Sequence, residues 1–200
     1  MENEEHLDAK DIRLYIQTFR KQNLNFLEIL FTEFKIVNPQ YAKWWNKLVE
    51  HREEIARYNE FQAIKSMKGI AMEKYHAMEH PYPSKLETLA KWGYDPKQLH
   101  HLLRVAEYIG RYIRGEKYKD CLRPHNPKYL VSVKKGLYDL EEARVIAKTA
   151  IDHVTRIVDA FAATVENVGK PEVDVILNGV QRDIMKFAIA FELMEDEYYD

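Results

Sequence analysis

The chain has 200 residues, 46% of them hydrophobic and 31% charged, with a formal net charge of -2 and a single cysteine. One substantial core fits that length, and near-neutrality excludes a whole-surface attraction to nucleic acid or to an acidic membrane, leaving room only for a local basic patch. Cys121 stands alone and the histidines lack metal-ligand spacing, so disulfide scaffolds and zinc modules are excluded and a reducing compartment is expected.

Met1 to Lys10 is charged and holds no apolar segment of signal-peptide length, and no apolar run approaches a membrane span. A cytoplasmic protein without membrane contact is the expectation. Seven glycines and seven prolines fall mostly between long periodic stretches, which predicts a mainly α protein, a helical bundle. The predicted helices cover residues 13–22, 24–32, 40–56, 59–79, 84–91, 95–114, 126–135, 139–167 and 171–195. Asp11 to Ile16 also alternates polar and apolar residues, so one short N-terminal strand is the alternative for that stretch.

The segment Gly93-Tyr94-Asp95-Pro96-Lys97-Gln98-Leu99-His100-His101-Leu102-Leu103-Arg104 is a helix start. Glycine suits the left-handed close of the preceding helix, Asp95 is a good N-cap, and a proline at the first position loses only an orphan amide. Lys97, His101, Arg104, Tyr108 and Arg111 then recur on one face, a cationic stripe beside an apolar one. Lys97, His101 and Arg104 on adjacent turns can converge on one phosphate, with arginine offering two donors and lysine a compact charge. The competing reading is a solvated, salt-bridged face. The adjacent His100 and His101 point about a hundred degrees apart, so they are not expected to serve one compact site. Trp44, Trp45, Phe61 and Tyr75 offer rings for stacking on a base, although helical spacing favours core positions.

Towards the C-terminus, Asp139-Leu140-Glu141-Glu142 forms a capping box, and Pro171 with Glu172 and Asp174 opens the last helix. Leu140, Ala143, Ala147, Ala150, Val154, Ile157 and Phe161 keep a heptad rhythm, as do Val173, Leu177, Val180, Ile184, Phe187, Phe191 and Met194. The short connector between the two seams predicts an antiparallel helical hairpin. Residues 1–167 are thus expected to form a helical domain, and residues 168–200 a helix packing on it or on a partner. The wide apolar face of that helix, including Ile176 and Ile189, makes a homodimer the expected assembly.

The Gly93 to Arg104 segment resembles the predicted nucleotidyltransferases of the DNA polymerase beta superfamily that are associated with RNA repair. Asp11-Ile12-Arg13-Leu14-Tyr15, Asn25-Phe26-Leu27-Glu28-Ile29-Leu30-Phe31 and Lys134-Lys135-Gly136-Leu137-Tyr138-Asp139-Leu140-Glu141-Glu142 are similar to further motifs of the same family. The resemblance covers about residues 8–165 and implies the family's helical C-terminal half. It implies nucleotide or phosphate contacts at Lys97, His101 and Arg104, and at Lys65 and Lys68 on a helix facing the same cleft. Asp11 stands where the family's third metal-binding carboxylate is expected, with the capping of a helix as its plainer role. The family's chemistry needs a Gly-Ser turn for the triphosphate and an Asp-x-Asp pair that, with the third carboxylate, holds two magnesium ions. Neither motif occurs in this sequence.

The resemblance therefore implies a truncated, nucleotidyltransferase-like helical protein that binds nucleotide or phosphate and needs no cofactor in isolation. Complemented by a separate catalytic-core chain, it would transfer a nucleoside monophosphate with magnesium and a nucleoside triphosphate. The alternative is a catalytically inactive interaction module, inhibitor or regulator that binds another protein; direct contact with nucleic acid stays open. A toxin-type ribonuclease motif, arginine followed four to six residues later by histidine, is not present. Cys121 has neither a helix start nor a base nearby in sequence and reads as structural.

Overall fold

The computed structural model describes the backbone of residues 10–196 and the side chains of residues 10–191. The expectations for the charged stretch before Lys10 and for Met194 at the end of the last seam lie outside the described residues. Eleven α-helices and no strand are found among the described residues. No helix there is long and apolar enough to cross a membrane. The chain divides into two compact units, residues 1–59 with 169–200 and residues 60–168.

The first unit opens with α1 (Ile12–Arg20), capped by Asp11, whose carboxylate accepts from the Arg13 amide at 2.8 Å. This answers the strand alternative: the cap and the burial of Ile16 and Phe19 on one face favour a helix, and there is no strand for residues 11–16 to pair with among the described residues. Gln22 then adopts a left-handed φ of 51° and is fully buried, its Nε2 donating to the carbonyls of Phe19 at 2.7 Å and Ile55 at 2.9 Å. The short α2 (Leu24–Leu27) tightens into a 3-10 turn over Glu28–Phe31. Residues 34–38 carry no regular structure and lead through a 3-10 turn at Pro39–Tyr41 into α3 (Ala42–Glu50) and α4 (Arg52–Ile55).

The second unit holds α5 (Glu60–Ala77), α6 (Leu86–Trp92), α7 (Pro96–Ile113), α8 (Tyr118–Cys121), α9 (Pro127–Lys134) and α10 (Leu140–Ala162). Helices α5, α7 and α10 pack against one another, and α8 and α9 lie on α7. The start of α7 has the predicted grammar: Gly93 has φ 77°, the Asp95 carboxylate accepts from the Lys97 amide at 2.9 Å, and Pro96 follows. Asp95 is also fixed from behind, because its own amide donates to the Met78 carbonyl at 2.7 Å. The capping box of α10 is formed in both directions, Glu142 N–H to Asp139 at 2.9 Å and Asp139 N–H to Glu142 at 3.1 Å. In α10 the buried stripe runs Ala143, Ala147, Ile151, Val154, Val158. That spacing follows the 3.6-residue period of a helix laid across two neighbours, so Ile151 and Val158 are buried more fully than the heptad positions Ala150 and Ile157.

Helix α11 (Pro171–Asp196) belongs to the first unit, where it packs on α1 and α3 through the buried Val173, Leu177 and Val180. Its partners are thus drawn from the start of the chain. Arg20 donates to Asp174 at 2.9 Å and to Asn178 at 2.8 Å, and the Tyr58 hydroxyl donates to the other Asp174 oxygen at 2.9 Å. A side chain at Gly169 would meet the Tyr58 ring at 2.1 Å, so only glycine fits at that connector.

Candidate functional site

Helix α7 carries the predicted cationic stripe, but only its first half is open. Lys97 is exposed and His101 and Arg104 are half-buried, whereas Tyr108 and Arg111 on the same face are buried. The turn at α8 covers them: the Tyr118 ring meets Tyr108 edge-on at 5.6 Å, and Arg111 donates to Glu116 at 2.7 Å and to the Arg123 carbonyl at 2.6 Å. Arg111 is therefore a structural tie for the segment following α7. The buried Cys121 lies in the same cover, with its thiol 3.8 Å from the Glu116 carbonyl, in keeping with a structural role.

His101 is the centre of the open half. Burial pushes its imidazole down to about 4, helped by His100, Lys74, Lys97 and Arg104. The charges acting on it most strongly are all cationic. His100 is depressed too, first by burial and then by Lys134 and Arg104, and its Nδ1 is buried without a hydrogen-bond partner among the described residues. The two imidazole rings, separated by about a hundred degrees of helix rotation, nevertheless meet edge to face with centroids 4.9 Å apart. Their side chains are long enough to close that angle, so both histidines belong to one cluster.

Lys74 of α5 also bears on His101, while its Nζ pairs with the exposed Glu73 at 2.6 Å; Lys65 and Lys68, expected at this site, point elsewhere. Those two lysines converge on Asp159 of α10, Lys68 Nζ at 2.8 Å and Lys65 Nζ at 3.8 Å, and the Lys68 hydrogen bond, aided by both charges, holds that carboxyl below its usual range. Lys74 lies on the other side of α5 from Lys65, nine residues on and half a rotation away. No spacing rule links it to α7. Only the packing of α5 on α7 does so.

Asp11 caps α1, and both its carboxylate oxygens bind the Arg13 guanidinium, at 2.9 and 3.2 Å. No group of three or more His, Cys, Asp or Glu side chains arranged to hold a metal ion occurs among the described residues. Trp44 is a core residue packed on Phe187, while Trp45 and the half-buried Phe61 and Tyr75 are only partly covered. The chain matches no family model, no curated protein and no solved structure.

An arrangement of two half-buried neutral imidazoles inside a ring of lysine and arginine side chains is suited to an anion. Lys74, Lys97 and Arg104 each disfavour a proton on His101, which marks a locally positive potential there. A phosphate at that potential would give His101 a partner for a second proton.

Proposed function

We propose that this chain is a nucleotidyltransferase-like helical protein that binds the phosphates of a nucleoside triphosphate at Lys74, Lys97, His101 and Arg104. Nucleotidyl transfer would require a Gly-Ser turn, paired aspartates and two magnesium ions from a separate catalytic core. The family resemblance suggests the nucleotide. The observation that carries the reading is that Lys74, Lys97 and Arg104, from two helices, all bear on the half-buried His101. The site's own part would be to hold and orient phosphate oxygens through charged donors, without activating a nucleophile.

Calorimetric titration with adenosine triphosphate and with pyrophosphate tests the site. Binding should weaken as salt rises, and Lys97→Ala combined with Arg104→Ala should cost about tenfold or more in affinity, about 1.4 kcal/mol or above. Lys68→Ala, which removes a side chain held by Asp159, should change binding little. Absence of binding, or binding untouched by the double substitution, refutes the site. The same reading places the protein in the cytoplasm, in keeping with its one buried thiol.

The second reading, a catalytically silent interaction module, is favoured by Val175, Ile189 and Phe191, which α11 leaves exposed. As a homodimer through that helix, the protein would show twice its chain mass in light scattering, and Ile189→Asp would return it to the monomer.

A further inference from the structure

The first unit carries a separate feature that the anion site does not use: an apolar groove of about 520 Å³ whose lining includes Tyr15, Ile29, Trp45, Leu48 and Ile184. One side is the irregular segment after the first 3-10 turn, where Phe34 is 94% exposed and Ile36 fully so. Two large apolar side chains displayed side by side next to a concave apolar surface are uncommon on a monomer and mark a place where something docks. The backbone groups of Lys35, Ile36 and Val37 have no hydrogen-bond partner among the described residues, so this edge also offers main-chain donors and acceptors.

Charge narrows the choice of occupant. Among the described residues, the charged side chains lining the groove are Lys10 and Lys35, with no carboxylate. Tyr41, at the groove, packs on Trp44 and Phe187, and those two rings line a neighbouring depression that carries Lys43, Lys47 and Lys186 against a single Asp183. Among the described residues, five lysines and one aspartate thus line the groove and its neighbouring depression in a chain whose net charge is -2. A second copy would bring the same lysines face to face. A flat lipid surface would leave the concavity and the main-chain edge unfilled.

We infer that this groove binds a segment of a partner protein in which apolar side chains are interleaved with carboxylates. Its apolar side chains fill the groove beside Phe34 and Ile36. Its carboxylates meet the surrounding lysines, and its backbone pairs with the Lys35–Val37 edge. This surface lies on α1, α3, α11 and the 34–38 segment, so the inference stands or falls independently of the anion site on α7.

The test uses the full chain and two labelled synthetic peptides read by fluorescence anisotropy, one alternating leucine with glutamate and one alternating leucine with lysine. The glutamate peptide should bind about tenfold or more tightly than the lysine peptide, with the difference shrinking at high salt. Ile36→Glu should cost about tenfold or more in glutamate-peptide affinity. The exposure of Ile36 means that this variant keeps the native circular dichroism and thermal midpoint, and Lys35→Glu provides a second variant expected to weaken the glutamate peptide and strengthen the lysine one. Equal binding of the two peptides, binding of neither, or binding indifferent to both variants overturns the proposal. So does a dimer that Ile36→Glu dissolves, which would make a second copy the occupant. Co-sedimentation with vesicles of phosphatidylcholine and phosphatidylserine in place of peptide binding would instead assign the face to lipid.

Discussion

Acidification should destabilise this protein through His101, and the structure fixes both the sign and the scale. The imidazole is pushed down to about 4 in the folded state, first by burial and then by the surrounding cations, whereas an unperturbed imidazole titrates near 6.5. Between those two pH values the unfolded chain takes up a proton that the folded chain refuses. Stability therefore rises with pH across that window, is fully present above 6.5, and is lost as the pH falls towards 4. The full gap corresponds to a ceiling of about 3 kcal/mol. Partial exposure and salt screening reduce it to about 1–2 kcal/mol. Urea denaturation of the native chain and of His101→Gln measures this directly: from about pH 7 to about pH 4.5 the native chain should lose about 1–2 kcal/mol more than the variant. A nuclear magnetic resonance titration of the imidazole gives the second readout, and pyrophosphate should raise the midpoint by supplying the missing negative charge. An imidazole that titrates near 6.5 without ligand, or equal acid sensitivity in both proteins, would refute the cationic-cluster argument at its root.

Gly169→Ala should be strongly destabilising, by about 1–3 kcal/mol, because the new methyl group meets the Tyr58 ring at 2.1 Å and displaces the hydroxyl from Asp174; thermal denaturation read beside Tyr58→Phe checks it, and an unchanged midpoint would refute the steric argument. Asp139→Ala removes one arm of the capping box and should cost about 1 kcal/mol, measured by urea titration at neutral pH. Lys68→Ala breaks an exposed pair with Asp159 and should change stability by less than about 1 kcal/mol in the same assay.

Local grammar was legible in the sequence wherever a few neighbouring residues decide the backbone. Gly93, Asp95 and Pro96 specify the end of one helix and the start of the next, and Asp139 with Glu142 specifies another start, because caps and left-handed turns depend on groups within one turn of chain. The Lys97, His101, Arg104 stripe was legible for the same reason: helical rotation alone puts those side chains on one face. Burial was not, since it depends on what another segment brings. Tyr108 and Arg111 share the stripe by rotation but are removed from it by the α8 turn, and Lys74 replaces Lys65 and Lys68 beside His101 because α5 presents one side to α7 and another to Asp159. The partners of α11 were equally a tertiary matter. A short connector to α10 made a hairpin the simplest expectation, yet Arg20, Tyr58 and the core of the first unit hold Asp174, Leu177 and their neighbours. The exposed Phe34 and Ile36 completed that pattern: their apolar character is plain in the sequence, but only the packed fold decided that they stay outside the core, beside a groove of about 520 Å³ lined in part by Lys10 and Lys35.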